Sequence, residues 1–269
     1  MQECSLPLTD FAIQRGIGVF ESIRIYKGKP FAISQHIERL TRSTEGLGIA
    51  AGNIIWKFPY IIRRGLEMPE IRGLDGLVKT YVTGGDIING GIFSKPRFFI
   101  VFDDKICQPT AKDREEGVTL SPNYITRSNP LVKSINYLPG ILPMMKAANP
   151  DYESLYITPD GEITEALSSN FFLYKDGRLI TAPVGRVLEG VTRDIVITLA
   201  RENGFLVEER CPREDELTQA DEAFITGTVK EILPVIMVGS YSVGSGRPGE
   251  IVRKFRQIFT MNMARWMEQ

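Results

Sequence analysis

Alternating apolar and polar residues predict β-strands in the first part of the chain. In GVFESIRIY (residues 18–26), the odd-numbered positions carry valine, isoleucine and one glutamate, and the even-numbered positions include an arginine. A period of two residues is typical of a strand with two different faces. One face of this strand must therefore accept Glu21 and the other Arg24. LVKTYVTGG (77–85) and RFFIVFDD (97–104) are predicted as further strands.

Two segments have the period of an amphipathic helix. SQHIERLTRSTEGLGI (34–49) places its apolar residues on one side, and Ser34 precedes them as the predicted N-cap. VTRDIVITLARENG (191–204) has the same kind of pattern, and Gly204 is predicted to end it.

Turn residues divide the second part of the chain into hairpins. GVTLSPNYI (117–125) predicts a strand, and ESLYITPDGEITE (153–165) predicts a hairpin that turns at Pro-Asp-Gly. NFFLYKDGRLITAP (170–183) predicts a second hairpin that turns at Asp-Gly. The polar segment ICQPTAKDREEG (106–117) has no apolar period and is typical of a linker.

The order of these elements predicts an α+β protein of two domains. We expect a small N-terminal α/β domain over residues 1–107, a linker over 108–116, and a larger C-terminal domain over 117–269.

Composition and charge exclude several classes of partner. The 269 residues include 32 basic and 33 acidic side chains, and the formal net charge of −1 offers no broad attraction for nucleic acid or an anionic membrane. The most apolar windows are too short to span a bilayer, and no signal-like segment opens the chain. We therefore expect a cytoplasmic protein that binds neither nucleic acid nor membrane.

The cysteines and the single histidine limit the possible chemistry. Cys4, Cys107 and Cys211 are isolated and odd in number, so neither a disulfide framework nor a zinc site is predicted. His36 lies in a charged helical segment and is expected to be a helix-surface or packing residue. No metal site is predicted, and any chemistry must use a cofactor or lysine, tyrosine and carboxylate side chains.

One lysine and two Gly/Thr segments are the candidate chemical groups. Lys133 interrupts the apolar run of LVKSINYLPG (131–140), which fits either a lysine on a solvated strand face or one that forms a Schiff base with a carbonyl compound. LEGVTRDIV and FITGTVKEI each place glycine and threonine before a predicted helix, where unpaired backbone N–H groups favour an anion such as phosphate.

The order of lysine, strand-end glutamate and two Gly/Thr segments resembles the class IV, or fold-type IV, pyridoxal-phosphate enzymes. This family includes branched-chain aminotransferases, D-amino-acid aminotransferases and aminodeoxychorismate lyase. The resemblance runs from RGIGVFESIRIY and HIERL through KSINYL to TGTVKEILPV, and its most specific part is E-x-x-x-x-N-F-F…L-I-T…L-E-G-V-T-R. It implies a C-terminal domain with a β-barrel-like core, pyridoxal 5'-phosphate as cofactor, and a homodimer.

The resemblance also implies a role for individual residues. Lys133 matches the lysine that bonds covalently to the cofactor, Glu165 the carboxylate that faces the pyridine nitrogen, and Arg39 an arginine on the cofactor phosphate. Tyr137 matches the tyrosine near the cofactor's phenolic oxygen in branched-chain enzymes. The implied phosphate-binding residues are Gly190, Val191, Thr192, Gly227 and Thr228. The candidate cations for the substrate carboxylate are Lys79, Lys230 and Arg24.

Departures from the family pattern leave the substrate open. Lys79 and Leu77 stand where branched-chain enzymes carry arginine and tyrosine, and Leu167 stands where the family motif usually has a small residue. The chain reaches LPLTDFAIQRG almost at once, so we expect it to lack much of the family's first hairpin.

The leading prediction is a transaminase that moves an amino group between an amino acid, with a slight lean to D-amino acids, and a 2-oxo acid such as 2-oxoglutarate or pyruvate. The alternatives are a branched-chain L-amino-acid aminotransferase, an aminodeoxychorismate lyase and a non-catalytic cofactor carrier.

Overall fold

The computed structural model describes residues 5–146 and 151–267, which form two compact units. The N-terminal unit comprises the chain up to Ile106, the short segment Val132–Asn136 and Met267. The barrel unit comprises Cys107–Leu131 and Tyr137–Trp266.

The N-terminal unit is built on one antiparallel sheet flanked by helices. It contains, in chain order, α1 (Phe11–Arg15), β1 (Gly18–Tyr26), β2 (Lys29–Pro30), α2 (Ile33–Gly46), a 3₁₀ turn (Gly52–Lys57), α3 (Phe58–Leu66), β3 (Gly76–Thr83), β4 (Ile88–Asn89), β5 (Ile92–Phe93) and β6 (Arg97–Asp103). The sheet order is β2-β1-β3-β6, while β4 and β5 form a separate two-stranded ribbon.

One face of this sheet carries the core of the N-terminal unit. The odd-numbered apolar residues of β1 are fully buried and pack with the apolar residues of α2 and α3. Glu21 lies on this same buried face, opposite Thr80 of β3. The strand therefore directs one carboxylate into the core, as the alternation of GVFESIRIY requires.

The barrel unit contains most of the remaining elements. In chain order these are α4 (Ala111–Glu116), β7 (Val118–Asn123), α5 (Leu138–Lys146), β8 (Glu153–Ile157), β9 (Ile163–Ala166), β10 (Ser169–Lys175), β11 (Arg178–Thr181), α6 (Val191–Glu202), β12 (Leu206–Glu209), a 3₁₀ turn (Glu214–Gln219), β13 (Glu222–Gly227), β14 (Glu231–Val238), β15 (Tyr241–Ser242), α7 (Glu250–Asn262) and a 3₁₀ turn (Met263–Trp266).

Six strands of the barrel unit close on themselves. Their order is β10-β13-β14-β7-β8-β9, and β9 pairs back onto β10. Apolar side chains from all six strands form one buried cluster, and α6 and α7 pack against β13. Closure leaves no exposed edge among these strands, and the predicted mixed α+β fold with a barrel-like core is confirmed.

Most predicted strands and turns are confirmed, and two details are wrong. Helix α2 begins at Ile33 after Ala32, which adopts a left-handed conformation with φ 52°, so Ser34 is inside the helix and is not its N-cap. FITGTVKEI does not precede a helix, because its threonines lie at the hairpin between β13 and β14. Glycine and threonine suit a tight turn as well as a helix start, so the two structures share this sequence signal.

The predicted linker and its neighbours are more structured than their polarity indicates. Within 108–116, the side chain of Thr110 accepts from the N–H of Asp113 and the carboxylate of Asp113 accepts from the N–H of Thr110, which caps α4 as part of the barrel unit. The lysine segment Val132–Asn136 belongs to the N-terminal unit, although the predicted C-terminal domain included it. Helix α5 begins at Leu138 and keeps Pro143 inside it.

Among residues 5–146 and 151–267, none of the helices has the length and apolar content that crossing a membrane would need.

Candidate functional site

The segment that carries Lys133 is held in an extended conformation beside β1. The N–H of Phe20 donates to the carbonyl of Lys133 at 3.0 Å, and the N–H of Ile135 donates to the carbonyl of Gly18 at 3.0 Å. The N–H of Lys133 also donates to Ser43 Oγ of α2 at 3.1 Å. Because the backbone is fixed on both sides of Lys133, the origin of its side chain is fixed too.

The side chain of Lys133 is half-buried and extends over an aromatic ring. Its Nζ lies 4.4 Å from the centroid of the Phe20 ring. A cation–π contact of this kind stabilises by roughly 0.5–1 kcal/mol at an accessible site. This position differs from a lysine on a fully solvated strand face.

A buried ionic cluster links β1 to α2 within the same unit. Arg39 Nε and Nη2 donate to the two carboxylate oxygens of Glu21 at 2.7 and 2.8 Å. His36 Nδ1 lies 2.7 Å from Glu21 Oε2, and since a carboxylate only accepts, this nitrogen carries the proton. Positions 36 and 39 are three residues apart and therefore share one face of α2. His36, expected at the helix surface or in packing, is a buried packing residue.

Burial and charge shift the pKa values of this cluster. Burial alone would raise the pKa of Glu21, but its contacts with Arg39 and His36 outweigh burial and hold it well below its usual range. Burial lowers the pKa of His36, the charges of Arg39 and Lys133 act in the same direction, and Glu21 opposes them. The structure therefore places Arg39, predicted to bind phosphate, with two of its nitrogens on a buried carboxylate.

Two of the candidate substrate cations lie on the N-terminal sheet, and both have partners. Arg24 is 5% exposed, donates to the carbonyl of Gly76 at 2.9 Å, and forms an ion pair with Asp75. Lys79 Nζ lies 2.6 Å from Asp103 Oδ2, and the Lys79 side chain remains 31% exposed. Lys79 is thus more accessible than Arg24 and holds its charge near a carboxylate.

Glu165 is the candidate site carboxylate in the barrel unit. It lies on β9, is 3% exposed, and receives the backbone N–H of Leu188 at 3.0 Å on Oε2. Arg127 Nη1 lies 2.5 Å from Oε1. Arg127 was not predicted from the sequence, since a single arginine in the irregular segment after β7 has no periodic signal.

The N-terminus of α6 is close-packed around Gly190, its N-cap. A Cβ atom at Gly190 would lie 1.9 Å from Asn170 Oδ1, so only glycine fits. Asn170 Nδ2 in turn donates to the carbonyl of Leu188 at 2.8 Å. Val191 and Thr192 follow at the buried helix start. Asn170, another residue missed as a site component, therefore holds the loop that also supplies an N–H to Glu165.

The hairpin between β13 and β14 places polar groups at the end of the barrel strands. Thr226 is 1% exposed, and its Oγ1 has no hydrogen-bond partner among the described residues. Gly227 ends β13, and Thr228 begins the turn. A buried hydroxyl without a partner is rare and costs about 1–3 kcal/mol, so this atom is a candidate contact for a ligand.

Lys230 ends the same hairpin and is tied to the barrel. Its Nζ lies 2.6 Å from Glu153 Oε2 and within 2.8 Å of the hydroxyls of Ser168 and Ser169. Glu153 is 3% exposed. The third candidate substrate cation therefore joins the β13–β14 hairpin to the turn between β9 and β10.

Tyr137 lies half-buried at the start of α5, where its carbonyl accepts the N–H groups of Gly140 and Ile141 at 3.1 Å each. A Cβ atom at Gly140 would lie 2.2 Å from the hydroxyl of Tyr156 and 2.4 Å from Leu167 Cδ1. Burial raises the pKa of Tyr156 to about 12. Leu167, which departs from the family motif, is thus accommodated by a glycine.

Comparison with known proteins identifies relatives of several activities. The family model described as amino-transferase class IV matches residues 18–238. The D-alanine aminotransferase of Bacillus licheniformis is 31% identical over 256 residues, which cover 93% of this chain and 89% of that protein. The aminodeoxychorismate lyase of Bacillus subtilis (strain 168) is 30% identical over 246 residues, which cover 88% of this chain and 82% of that protein.

A solved structure shows the same fold over nearly the whole chain. The branched-chain amino acid aminotransferase of T.th., complexed with N-(5'-phosphopyridoxyl)-L-glutamate, superposes with a TM-score of 0.87. It is 23% identical, and the match covers 99% of this chain and 93% of that one. At this identity the likeness shows the fold. Since the family model spans most of the sequence, the chain belongs to the class IV aminotransferases, a family of pyridoxal-phosphate enzymes.

Proposed function

We propose that this enzyme is a pyridoxal-phosphate-dependent transaminase that moves an amino group between an amino acid and a 2-oxo acid such as 2-oxoglutarate or pyruvate. The observation that carries the proposal is Glu165, a carboxylate buried on a barrel strand and oriented by Arg127 and the Leu188 N–H. Burial of a carboxylate is costly unless it is paired. Such a group suits a partner that carries a proton and a positive charge.

The side chains of the barrel unit fit the phosphate as well as the ring. Thr226 Oγ1 is buried and has no partner among the described residues, and Thr228 follows it in the hairpin. Gly190, Val191 and Thr192 begin α6, where backbone N–H groups and the helix dipole favour an anion. Gly227 ends β13 at a position where a Cβ atom would lie 3.3 Å from the Ser168 carbonyl.

Bound pyridoxal phosphate supplies an electron-accepting ring that stabilises negative charge at the substrate Cα. Glu165 would hold a proton on the ring nitrogen, and Arg127, whose Nη1 lies 2.5 Å from Oε1, orients the carboxylate. Lys133 would hold the cofactor covalently through Nζ, and its free amine would be placed to take the proton from the substrate Cα. Arg39, paired with Glu21, would add positive charge for the phosphate, and Tyr137 would lie near the cofactor's phenolic oxygen.

For the substrate, we favour D-amino acids by a small margin. Lys79 is the more accessible of the two candidate cations on the N-terminal sheet and would be the principal anchor for the substrate carboxylate, with Lys230 and Arg24 as secondary cations. The 31% identity with a D-alanine aminotransferase supports this preference. A branched-chain L-amino-acid transaminase is the second candidate, because Tyr137 in KSINYL matches that group. A homodimer in the cytoplasm completes the proposal.

A half-reaction screen tests the activity and the handedness together. Holoenzyme is mixed in single turnover with D-alanine, D-glutamate, L-leucine and L-valine, and the cofactor absorbance and the released 2-oxo acid are measured. We expect conversion with D-alanine or D-glutamate. Faster conversion of L-leucine or L-valine would favour the second candidate, and release of pyruvate from aminodeoxychorismate without transamination would favour the lyase.

The lysine assignment needs a separate measurement. Borohydride reduction of the holoenzyme followed by peptide mass mapping is expected to find the cofactor on Lys133. An adduct on another lysine, or on none, would contradict the proposed role of Lys133.

A further inference from the structure

A cavity lies in the barrel unit, on the outer side of β14 against α7. Its volume is about 440 Å³, which is within the range of small-molecule sites. Its lining includes Arg253, Arg256 and Gln257 on α7, with Ile232 and Phe259 as buried apolar residues. None of these residues takes part in the transaminase chemistry proposed above.

The positive charges at this cavity exceed the nearby counter-charge. Arg256 Nη1 donates to the backbone carbonyl of Arg114 at 3.0 Å, which places two arginines together. Glu231 lies 3.8 Å from Arg114 Nη1, at the outer limit of an ion pair. Arg253 is exposed and donates to the carbonyl of Pro248 at 2.9 Å. Two arginines thus line the cavity with Arg114 beside it, and the nearby carboxylates are Glu231 in the lining and Glu115.

The electrostatics of Arg256 agree with this count. Burial lowers the pKa of Arg256, and the charge of Arg114 lowers it further. Glu231 and Glu115 act in the opposite direction but do not reverse the shift. An anion that approaches a half-buried, charged guanidinium with too little counter-charge stabilises it.

The backbone at Glu231 is a second, independent observation. Glu231 has φ 56°, a left-handed conformation that non-glycine residues seldom adopt. It lies at the first position of β14, between the Lys230 contact with Glu153 and the cavity. Strain of this kind persists where the surroundings require it and is common at binding sites. Among the described residues, Glu231 is the only carboxylate in the lining, and it lies 3.8 Å from Arg114 Nη1.

We propose that this cavity binds a small carboxylate with a short apolar chain, at a site separate from the transaminase chemistry. The carboxylate contacts Arg256 and Arg253 through charge-assisted hydrogen bonds, and Gln257 offers a further amide. The chain packs on Ile232, Phe259 and Met261, of which Met261 lies in the lining and is 82% exposed. Glu231 competes with the ligand for the arginines and sets its affinity.

A site-specific measurement tests this proposal. Holoenzyme with ¹³C-methyl-labelled methionine is titrated with 4-methylpentanoate, which has no amino or oxo group and cannot be transaminated. The Met261 methyl signal, assigned with Met261→Leu, is expected to shift with a dissociation constant on the order of 1 mM. Arg256→Gln and Arg253→Gln are each expected to weaken binding about fivefold or more, and Glu231→Gln to tighten it about threefold.

The three controls are a variant of a distant arginine, a titration with inorganic phosphate, and a change in protein concentration alone. Arg178→Gln changes an exposed arginine on β11, away from the cavity lining, and should leave the titration unchanged. If Arg256→Gln fails to fold, the exposed Arg253 and the Glu231 variant still test the site. An unmoved Met261 signal, equal binding by the arginine variants, an equal response to inorganic phosphate, or a shift produced by protein concentration alone would overturn the proposal.

Discussion

Two buried carboxylates, Glu21 in the N-terminal unit and Glu165 in the barrel unit, have similar partners but different surroundings. Glu21 is fully buried, and the side chain of its partner Arg39 is only 5% exposed. Glu165 is almost as buried, but the side chain of its partner Arg127 is 25% exposed. Glu21 also has His36, whereas Glu165 has a backbone N–H from the loop before α6.

The difference indicates two separate roles for a carboxylate–arginine pair. The Glu21 cluster is sealed from water, so its energy depends on every member being present. The Glu165 pair reaches solvent through Arg127, so the loss of charge at Glu165 can be compensated in part by water. We therefore expect Glu21 to determine stability and Glu165 to determine the rate of chemistry.

The largest expected effect is on the stability of Glu21→Gln. This substitution leaves the buried Arg39 without its counter-charge, and breaking a buried pair typically costs 3–5 kcal/mol, so we expect a loss of about 3 kcal/mol in the free energy of unfolding. Denaturant unfolding measures it. The double variant Glu21→Gln, Arg39→Met removes both charges and is expected to recover part of the loss.

The matched control is Glu38→Gln, since Glu38 is an exposed carboxylate on α2, the helix that carries Arg39. It should change the free energy of unfolding by less than about 0.5 kcal/mol. Equal stability of the Glu21 and Glu38 variants would show that the buried cluster contributes nothing beyond an ordinary surface charge.

The second prediction concerns catalysis by Glu165→Gln. An amide still accepts the Leu188 N–H but cannot stabilise a protonated ring nitrogen, so we expect the half-reaction to slow about 100-fold. Single-turnover absorbance measures the rate, and denaturant unfolding should show a loss of about 1 kcal/mol. A normal rate in a variant that retains the cofactor would remove Glu165 from the mechanism.

These two carboxylates also show how far the sequence could be interpreted alone. The alternation of GVFESIRIY predicted β1 with its observed bounds and required Glu21 to lie on the apolar face. His36 and Arg39, the other two members of the cluster, are three residues apart on α2, so their spacing in the sequence places them on one face of that helix. The charged context of HIERL nevertheless pointed to the helix surface, because burial depends on the strand that α2 packs against.

Other contacts required the tertiary structure. Asp103 lies near Lys79 because β3 and β6 pair antiparallel with Lys79 opposite Val101, and no local pattern gives that register. Arg127 is in an irregular segment, so its contact with Glu165 had no periodic signal. Thr228 lies in a hairpin that has the same Gly/Thr composition as a helix start. The resemblance to the family gave the candidate roles of these residues, and the structure gave their hydrogen-bond and ion-pair partners.

The third prediction concerns the pH dependence of the free energy of unfolding, which His36 gives to the Glu21 cluster and which Glu165 lacks a histidine to produce. The pKa of His36 is lowered from 6.5 in the folded chain, so the unfolded chain takes up a proton first as the pH falls. His36 therefore supports full stability above pH 6.5 and loses it as the pH falls toward its folded pKa, by up to about 1.4 kcal/mol per pH unit. His36→Asn keeps an N–H donor without titration and should flatten the slope between about pH 6.5 and 5.5. An unchanged slope, measured by denaturant unfolding, would exclude His36 as its source.

The smallest expected effect concerns Lys79, the proposed anchor of the substrate carboxylate. An α-carboxylate in a partly desolvated pocket needs a cation or directed donors, but Lys79 already holds Asp103 at 2.6 Å. A substrate must therefore share or displace that contact, which limits the net gain from Lys79 to that of a half-exposed ion pair, about 0.2–1 kcal/mol.

Lys79→Met keeps the length without the charge and is expected to raise the dissociation constant for D-alanine or D-glutamate about threefold, with cofactor binding unchanged. Asp103→Asn frees the cation from its competitor and should have the opposite effect on the same substrates. Titration of the single-turnover rate against substrate concentration gives both constants. If both variants bind D-substrates as the unmodified enzyme does, Lys79 is a structural partner of Asp103 alone and the carboxylate is bound by another group.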